Sequence, residues 1–204
     1  MIITLKAETM KKQLLTIAVL MTGLTAFSQT KKVEFGVRSG LNVSTVVGEN
    51  EDFDTPKGRV SGYIGGLVEF HLTDRFSLQP EVFYSGQGFD LDDDFNEFDA
   101  EFQVGYLQFP VLAKFYIIQG LSVQAGPQFG IKLHEEADYD LFDRGGDVET
   151  DAFEDFDFQF TGGAAYTFDF GLFVEVRAAF GLTEVIEDSE AHNFVFSTGV
   201  GYKF

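Results

Sequence analysis

The chain has 204 residues with 33 acidic against 14 basic ones, and the net charge of −19 argues against nucleic acid as a partner. It contains no cysteine, which excludes disulfides and thiolate chemistry. The 25 Phe and 22 Gly, with only 4 Pro and no Trp, favour many aromatic-bearing strands joined by tight turns.

The first residues predict a secretory signal peptide. Met10-Lys11-Lys12 supplies a positive start, residues 14–24 are largely apolar, and Ala26-Phe27-Ser28 forms a small-x-small cleavage site. We expect the start at Met10, removal of residues 1–28, and one mature domain at 29–204. An uncleaved N-terminal anchor is the alternative, but the apolar run falls short of the roughly 20 residues that a spanning helix needs.

Alternation of polar and apolar residues predicts eight strands. Their approximate ranges are 33–43, 59–72, 76–89, 101–117, 121–134, 153–168, 171–182 and 192–204. The connections after the second, fourth and sixth strands are very short, whereas the others are long and acidic. This pattern is typical of an outer-membrane barrel with short periplasmic turns. We therefore predict an all-β fold, an eight-stranded antiparallel up-and-down transmembrane β-barrel.

The last strand shows the alternation most clearly. Its two faces differ, because strand side chains point to opposite sides in turn, and one face is small and polar while the other is apolar. The apolar face includes Phe194, Phe196, Tyr202 and Phe204. A C-terminal strand that ends on an aromatic residue is typical of the strand that closes an outer-membrane barrel. We expect the barrel assembly machinery to recognise this strand.

The same parity separates apolar from charged residues along the other strands. The apolar set is expected to face outer-membrane lipid, and the opposite set to face the lumen. The lumen set contains five acids and five bases: Glu34, Arg38, Glu69, Glu81, Lys114, Lys132, Asp157, Glu175, Arg177 and Lys203. Because an uncompensated charge in a confined space is costly, we expect paired charges that plug the lumen. A soluble barrel with its apolar face inward is a remote alternative.

The fourth predicted strand departs from the expected alternation of apolar and polar residues. Val104 and Tyr106 have the opposite parity to Leu107 and Phe109, and Gly105 is a candidate for a bulge.

Most acids lie in the connections that we predict as extracellular loops. Among them, Asp90, Asp92, Asp93 and Asp94 offer the oxygen ligands that Ca²⁺ prefers, and divalent ions there could bridge to lipopolysaccharide phosphates. The spacing lacks the register of an EF-hand. Solvated, mutually repelling loops are therefore the favoured interpretation, a weak divalent-cation site is the alternative, and no other cofactor is expected.

The three histidines of the chain are candidates for catalysis. His134 and His192 lie near the predicted outer rim, and His71 lies on the lumen face near the periplasmic end. No nucleophile–base–orienter spacing surrounds them, so we predict that the protein is not an enzyme.

Six segments, in order, resemble the PorT-like outer membrane β-barrel family that is common in Bacteroidota. They are GVRSGLN (36–42), LTDRFSLQPE (72–81), YLQFPVLAK (106–114), GLSVQAGPQ (120–128), GLT (181–183) and GVGYKF (199–204). The resemblance implies an eight-stranded OmpA- or OmpX-like barrel, and one branch of the family is associated with secretion and gliding. We expect a role in surface interaction, adhesion or membrane integrity. A small channel or a secretion or transport accessory is the alternative.

Overall fold

A computed structural model describes residues 33–47, 57–93, 98–141, 144–148, 154–184 and 192–204. These residues form nine strands: β1 (Val33–Val47), β2 (Lys57–His71), β3 (Phe76–Asp93), β4 (Phe98–Tyr116), β5 (Leu121–Leu141), β6 (Arg144–Val148), β7 (Phe156–Thr167), β8 (Leu172–Glu184) and β9 (His192–Lys203). None of them lies in a helix long and apolar enough to cross a membrane. The predicted signal peptide, residues 1–28, falls outside the described residues.

Eight of the strands close into a barrel, which confirms the predicted fold class. Each strand pairs antiparallel with its neighbours, and the pairing of β4 with β5 closes the sheet into a ring. The aromatic last strand, β9, completes the ring because it pairs with β8 on one side and with β1 on the other. All neighbouring strands in the ring are antiparallel, so no connection between them needs a crossover helix.

The two ends of the barrel differ in their connections. At one end, which we call the turn end, residues 72–75, 117–120 and 168–171 join strands by short turns. Gly120 and Gly171 have φ values of 81° and 94°, a backbone conformation that favours glycine. Both chain ends of the barrel meet here, since the Phe204 amide donates to the Phe35 carbonyl at 2.9 Å. In outer-membrane barrels, short turns lie in the periplasm, and the opposite, loop end lies outside.

The outer surface of the barrel is apolar and the lumen is polar. The exposed outer positions include Val60, Ile64, Val111, Phe160 and Val200. A barrel built for water would place these side chains inside and the polar ones outside, so the soluble alternative is wrong.

Three strands of the barrel continue beyond the loop end, where long loops were expected. β3, β4 and β5 have 18, 19 and 21 residues, against the roughly 9–11 that cross a bilayer. The outer end of β5 also pairs with β6. We call residues 88–93, 98–104, 135–141 and 144–148 the protruding sheet. The predicted loops at 90–100 and 135–152 are thus largely strand. Their many acids resemble a solvated loop, but acidic residues alternate with other residues in them as strand residues do.

The irregularity in alternation that was predicted for the fourth strand lies on the neighbouring strand, β5, instead. Val104 and Tyr106 are buried like Gln108, so β4 keeps one phase. Gly105 pairs with His134 and Tyr106 pairs with Lys132, which leaves one extra residue, Leu133, as a bulge in β5.

The topology predicts which arginine a protease reaches. Trypsin added to intact cells should cleave after Arg144, beside the connection from β5 to β6, and should spare Arg75 in a turn at the opposite end. Mass spectrometry of the fragments identifies the cut, and an Arg144→Gln variant is the control. Cleavage after Arg75 in intact cells, with Arg144 untouched, would show that the barrel is inserted the other way round.

Candidate functional site

Four charged side chains meet in the middle of the lumen and form what we call the central cluster. Arg38 Nη1 lies 2.5 Å from Glu81 Oε2, and Arg38 Nε lies 2.7 Å from Glu175 Oε1. Arg177 Nη2 contacts the other oxygens of both carboxylates, at 2.7 Å from each. All four side chains are buried. Two guanidinium groups thus compensate two carboxylates where neither charge would be tolerated alone.

Neutral groups complete this layer of the lumen. Gln79 donates to Glu81 at 2.7 Å, and the Tyr63 hydroxyl donates to Glu175 at 3.1 Å. The Arg38 guanidinium also stacks over Tyr63 and Phe83, 4.4 and 4.7 Å from the ring centroids. A cavity of about 20 Å³ beside the cluster has room for a single water. The layer is therefore filled by side chains.

A second group of charges, the turn-end cluster, consists of Glu34, Glu69, Lys114 and Lys203. The Glu69 carboxylate contacts Lys114 Nζ at 3.2 Å and also Lys203. Lys203 reaches Glu34 at 3.3 Å. Lys114 also donates to the Gln79 oxygen at 3.2 Å, which links this cluster to the central one.

The turn-end cluster is the one place among the described residues where three metal-ligating side chains converge. Oxygens of Glu34 and Glu69 and a ring nitrogen of His71 lie within 4.8 Å of one another. However, Glu69 is already paired with two ammonium groups, and an added cation would face both of them. The arrangement therefore favours a hydrogen-bonded charge cluster over a metal centre, with His71 held by Ser77 Oγ at 2.9 Å.

A third group lies in the loop half of the lumen. Lys132 pairs with Glu135 at 3.2 Å and with Asp155 at 3.6 Å. Glu135 was predicted as a loop residue, yet it is buried. The bulge at Leu133 explains the difference, because the extra residue lets Lys132 and Glu135, which have opposite parity, both face the lumen. Only the pairing with β4 reveals this bulge, so strand periodicity alone could not have found Glu135.

The structure places the ten predicted lumen residues inside the barrel, but in separate groups rather than one network. Eight are buried, while Lys132 is partly exposed and Glu34 is partly exposed at the turn end. Asp157 is buried and has no ion pair among the described residues. Glu135 is a further acid on the lumen face, and Arg59, opposite the buried Ser44, is a further base there.

The register aligns acidic residues across the protruding sheet. Asp90 on β3 is opposite Glu101, Glu101 is opposite Asp138, and Asp138 is opposite Asp147 on β6. Residues that are directly opposite share one face of a sheet, and like charges in such positions are destabilising. A second row on the same face, two residues farther out, contains Asp92, Asp99 and Asp140. We call these seven positions the acidic face.

The other face of the protruding sheet carries mainly apolar residues. One row contains Phe89, Phe102, Ala137 and Val148. The next row contains Leu91, Ala100, Tyr139 and Gly146. At the parity that faces outward in the barrel, the sequence therefore changes from apolar residues along the barrel to acidic residues in the protruding sheet.

The four aspartates predicted as a Ca²⁺ site do not share one face. Asp90 and Asp92 belong to the acidic face, whereas Asp93 is opposite Phe98 and has the other parity. Asp94 lies outside the described residues.

The remaining histidines are near the loop end and have structural contacts. The His134 ring stacks on Tyr84, with 6.0 Å between centroids. His192 Nδ1 lies 3.0 Å from the Thr183 carbonyl oxygen. The Tyr84 hydroxyl also lies 3.4 Å from His134 Nε2.

Solved structures of bacterial surface proteins are similar to this fold. Ail, the attachment invasion locus protein of Yersinia pestis, shares 13% identity over 85% of this chain and 99% of its own, with a TM-score of 0.54. The same values hold for Ail in complex with the heparin analogue sucrose octasulfate. Neisserial surface protein A shares 12% identity over 83% of this chain and 97% of its own, with a TM-score of 0.55. At these identities the likeness shows the fold alone.

No curated protein sequence matches this chain. Residues 27–187 match the family model described as outer membrane protein beta-barrel domain. The chain therefore belongs to the outer membrane protein β-barrel domain family, and its location is the outer membrane of a Gram-negative bacterium.

Proposed function

We propose that this barrel is a non-enzymatic surface-interaction protein whose acidic face binds a positively charged protein surface. The observation that carries the proposal is the pair of acidic rows across the protruding sheet. Carboxylates aligned directly opposite one another repel, so a basic partner relieves an unfavourable arrangement that the fold maintains. Complementary charge also steers the encounter of two proteins.

The lumen supports interaction rather than transport. The central cluster and its neutral partners occupy the middle of the lumen, and the cavity beside the cluster has a volume of about 20 Å³. A channel or transport accessory, and the secretion role of a PorT-like branch, would need a path through or around this layer. Stable unitary currents in a planar bilayer would favour that alternative.

The charge of the partner distinguishes this barrel from one of its structural neighbours. Ail has been solved with sucrose octasulfate, a polyanion. The acidic face would repel such a ligand, so we propose a cationic partner here. Divalent ions that bind at Asp90 and Asp92 would compete with it for the same carboxylates.

The test neutralises the acidic face and compares it with an equal change elsewhere. The variant Glu101→Gln/Asp138→Asn removes two charges from the middle of one row. The control Asp74→Asn/Asp169→Asn removes two exposed charges at the turn end. Both proteins are placed in nanodiscs, and the binding of a fluorescent oligolysine is measured by anisotropy at fixed ionic strength.

The acidic-face variant should bind oligolysine about 3–10-fold more weakly than the parent, since each exposed ion pair contributes up to about 1 kcal/mol. The control should bind within about twofold of the parent, and higher salt should weaken all binding. Equal losses in the two variants would show that net charge, not the acidic face, attracts the peptide. Binding of sucrose octasulfate in place of oligolysine would also contradict the proposal.

A further inference from the structure

Most of the buried acids in the lumen of the described barrel are paired with bases. The turn-end cluster has two acids and two bases, the central cluster has the same, and Lys132 pairs with Glu135. His71 is held at the turn end beside Glu34. For Asp157, in the loop half, the contacts of the carboxylate are hydrogen bonds from neutral amides.

The surroundings of Asp157 satisfy only one of its oxygens. Its side chain is fully buried. Oδ2 accepts from Gln159 Nε2 at 2.5 Å and from Asn193 Nδ2 at 3.1 Å. Oδ1 has no hydrogen-bond partner. An ionised carboxylate that is buried in this way needs a charge partner.

Two more buried polar groups without partners lie on β4, which is separated from β7 only by β5. Gln108, Gly130 and Asp157 follow one another in register across β4, β5 and β7. Gly130 has no side chain, and the Gln108 amide extends over it, since a Cβ on Gly130 would lie 2.8 Å from Gln108 Oε1. Neither polar atom of that amide has a partner, and neither does the hydroxyl of Tyr106, the next lumen residue on β4. Such groups are rare in folded proteins and require an explanation.

We propose that Asp157 Oδ1, Gln108 Oε1 and the Tyr106 hydroxyl hold a small monovalent cation in the loop half of the lumen. The three groups supply one negative charge and two neutral oxygens, which matches a single positive charge. Ca²⁺ and Mg²⁺ sites generally use more oxygens or retain several waters. The site is independent of the acidic face, which lies beyond the barrel.

The first experiment measures thermal unfolding of the detergent-folded barrel in Na⁺, K⁺ and choline chlorides at equal ionic strength. Na⁺ or K⁺ should raise the midpoint by about 2–4 °C relative to choline, because an ion that is bound only by the folded state stabilises it. Asp157→Asn should abolish this difference, since it keeps the shape and removes the charge. Asp155→Asn, whose parent side chain is 75% exposed, is the matched control and should retain the difference.

A second variant changes no charge. Gly130→Ala places a methyl group against the Gln108 amide and should also abolish the cation-specific difference. Crystals soaked in Rb⁺ give a direct measurement, an anomalous peak within contact distance of Asp157 Oδ1. Equal midpoints in choline and in both metal salts would overturn the proposal. So would a cation-specific difference that survives in Asp157→Asn, or a site that contains only water.

Discussion

Replacing Arg177 by Met should lower the free energy of unfolding of the barrel by about 3–5 kcal/mol, the range for breaking a buried ion pair. Arg177 contacts Glu81 through two nitrogens, at 2.7 and 2.8 Å, and contacts Glu175 at 2.7 Å. Without it, two buried carboxylates share Arg38 alone within the cluster. Urea titration of the protein in lipid vesicles, followed by the shift between folded and unfolded bands on gels, measures the loss.

Two companion variants separate charge balance from geometry. Arg177→Met/Glu81→Gln restores the balance of the cluster and should recover part of the lost stability, so the two changes should be non-additive. Arg177→Lys keeps the charge but loses the fork that contacts both carboxylates, and should fall between the parent and Arg177→Met. If Arg177→Met were as stable as the parent, the central cluster would not be a buried, desolvated unit.

The barrel itself was predictable because lipid and lumen impose opposite requirements on alternate residues. In β9, Phe196 and Val200 are exposed on the outer surface while Lys203 is buried inside. Short turns at 72–75, 117–120 and 168–171 then fix which strands are neighbours. Periodicity and turn length are local properties of a sequence, so both can be read without a structure.

The features that were missed depend on register, which is not local. Glu135 is buried because Leu133 is an extra residue relative to β4. The acidic face exists because Asp90, Glu101 and Asp138 are aligned across three strands. In the sequence, these residues lie in runs of acids that are typical of solvated loops, so the alternation of a strand was not recognised there. The unpartnered oxygen of Asp157 likewise depends on which side chains the other strands place around it.

A second large loss of folding stability is expected when a charge is placed on the outer surface of the barrel. Val176→Arg should reduce folding stability in bilayers by about 2–4 kcal/mol, the cost of a lipid-facing cation near the midplane. Val176 is 46% exposed on the outer face, between Ala164 on β7 and Thr198 on β9. Exposed residues of the same parity run along β8 from Val174 to Leu182, which places Val176 in the apolar band.

The depth of the substitution provides an internal control. Val174→Arg lies two residues nearer the turn end and should cost less, since the penalty falls to about 0–1 kcal/mol at the interfaces. Val176→Leu keeps the apolar surface and should be nearly neutral. The same urea titration in vesicles ranks the three variants. If Val176→Arg is tolerated as well as Val176→Leu, this position does not contact lipid. If Val174→Arg costs more than Val176→Arg, the bilayer midplane lies closer to the turn end than the band of exposed residues on β8 indicates.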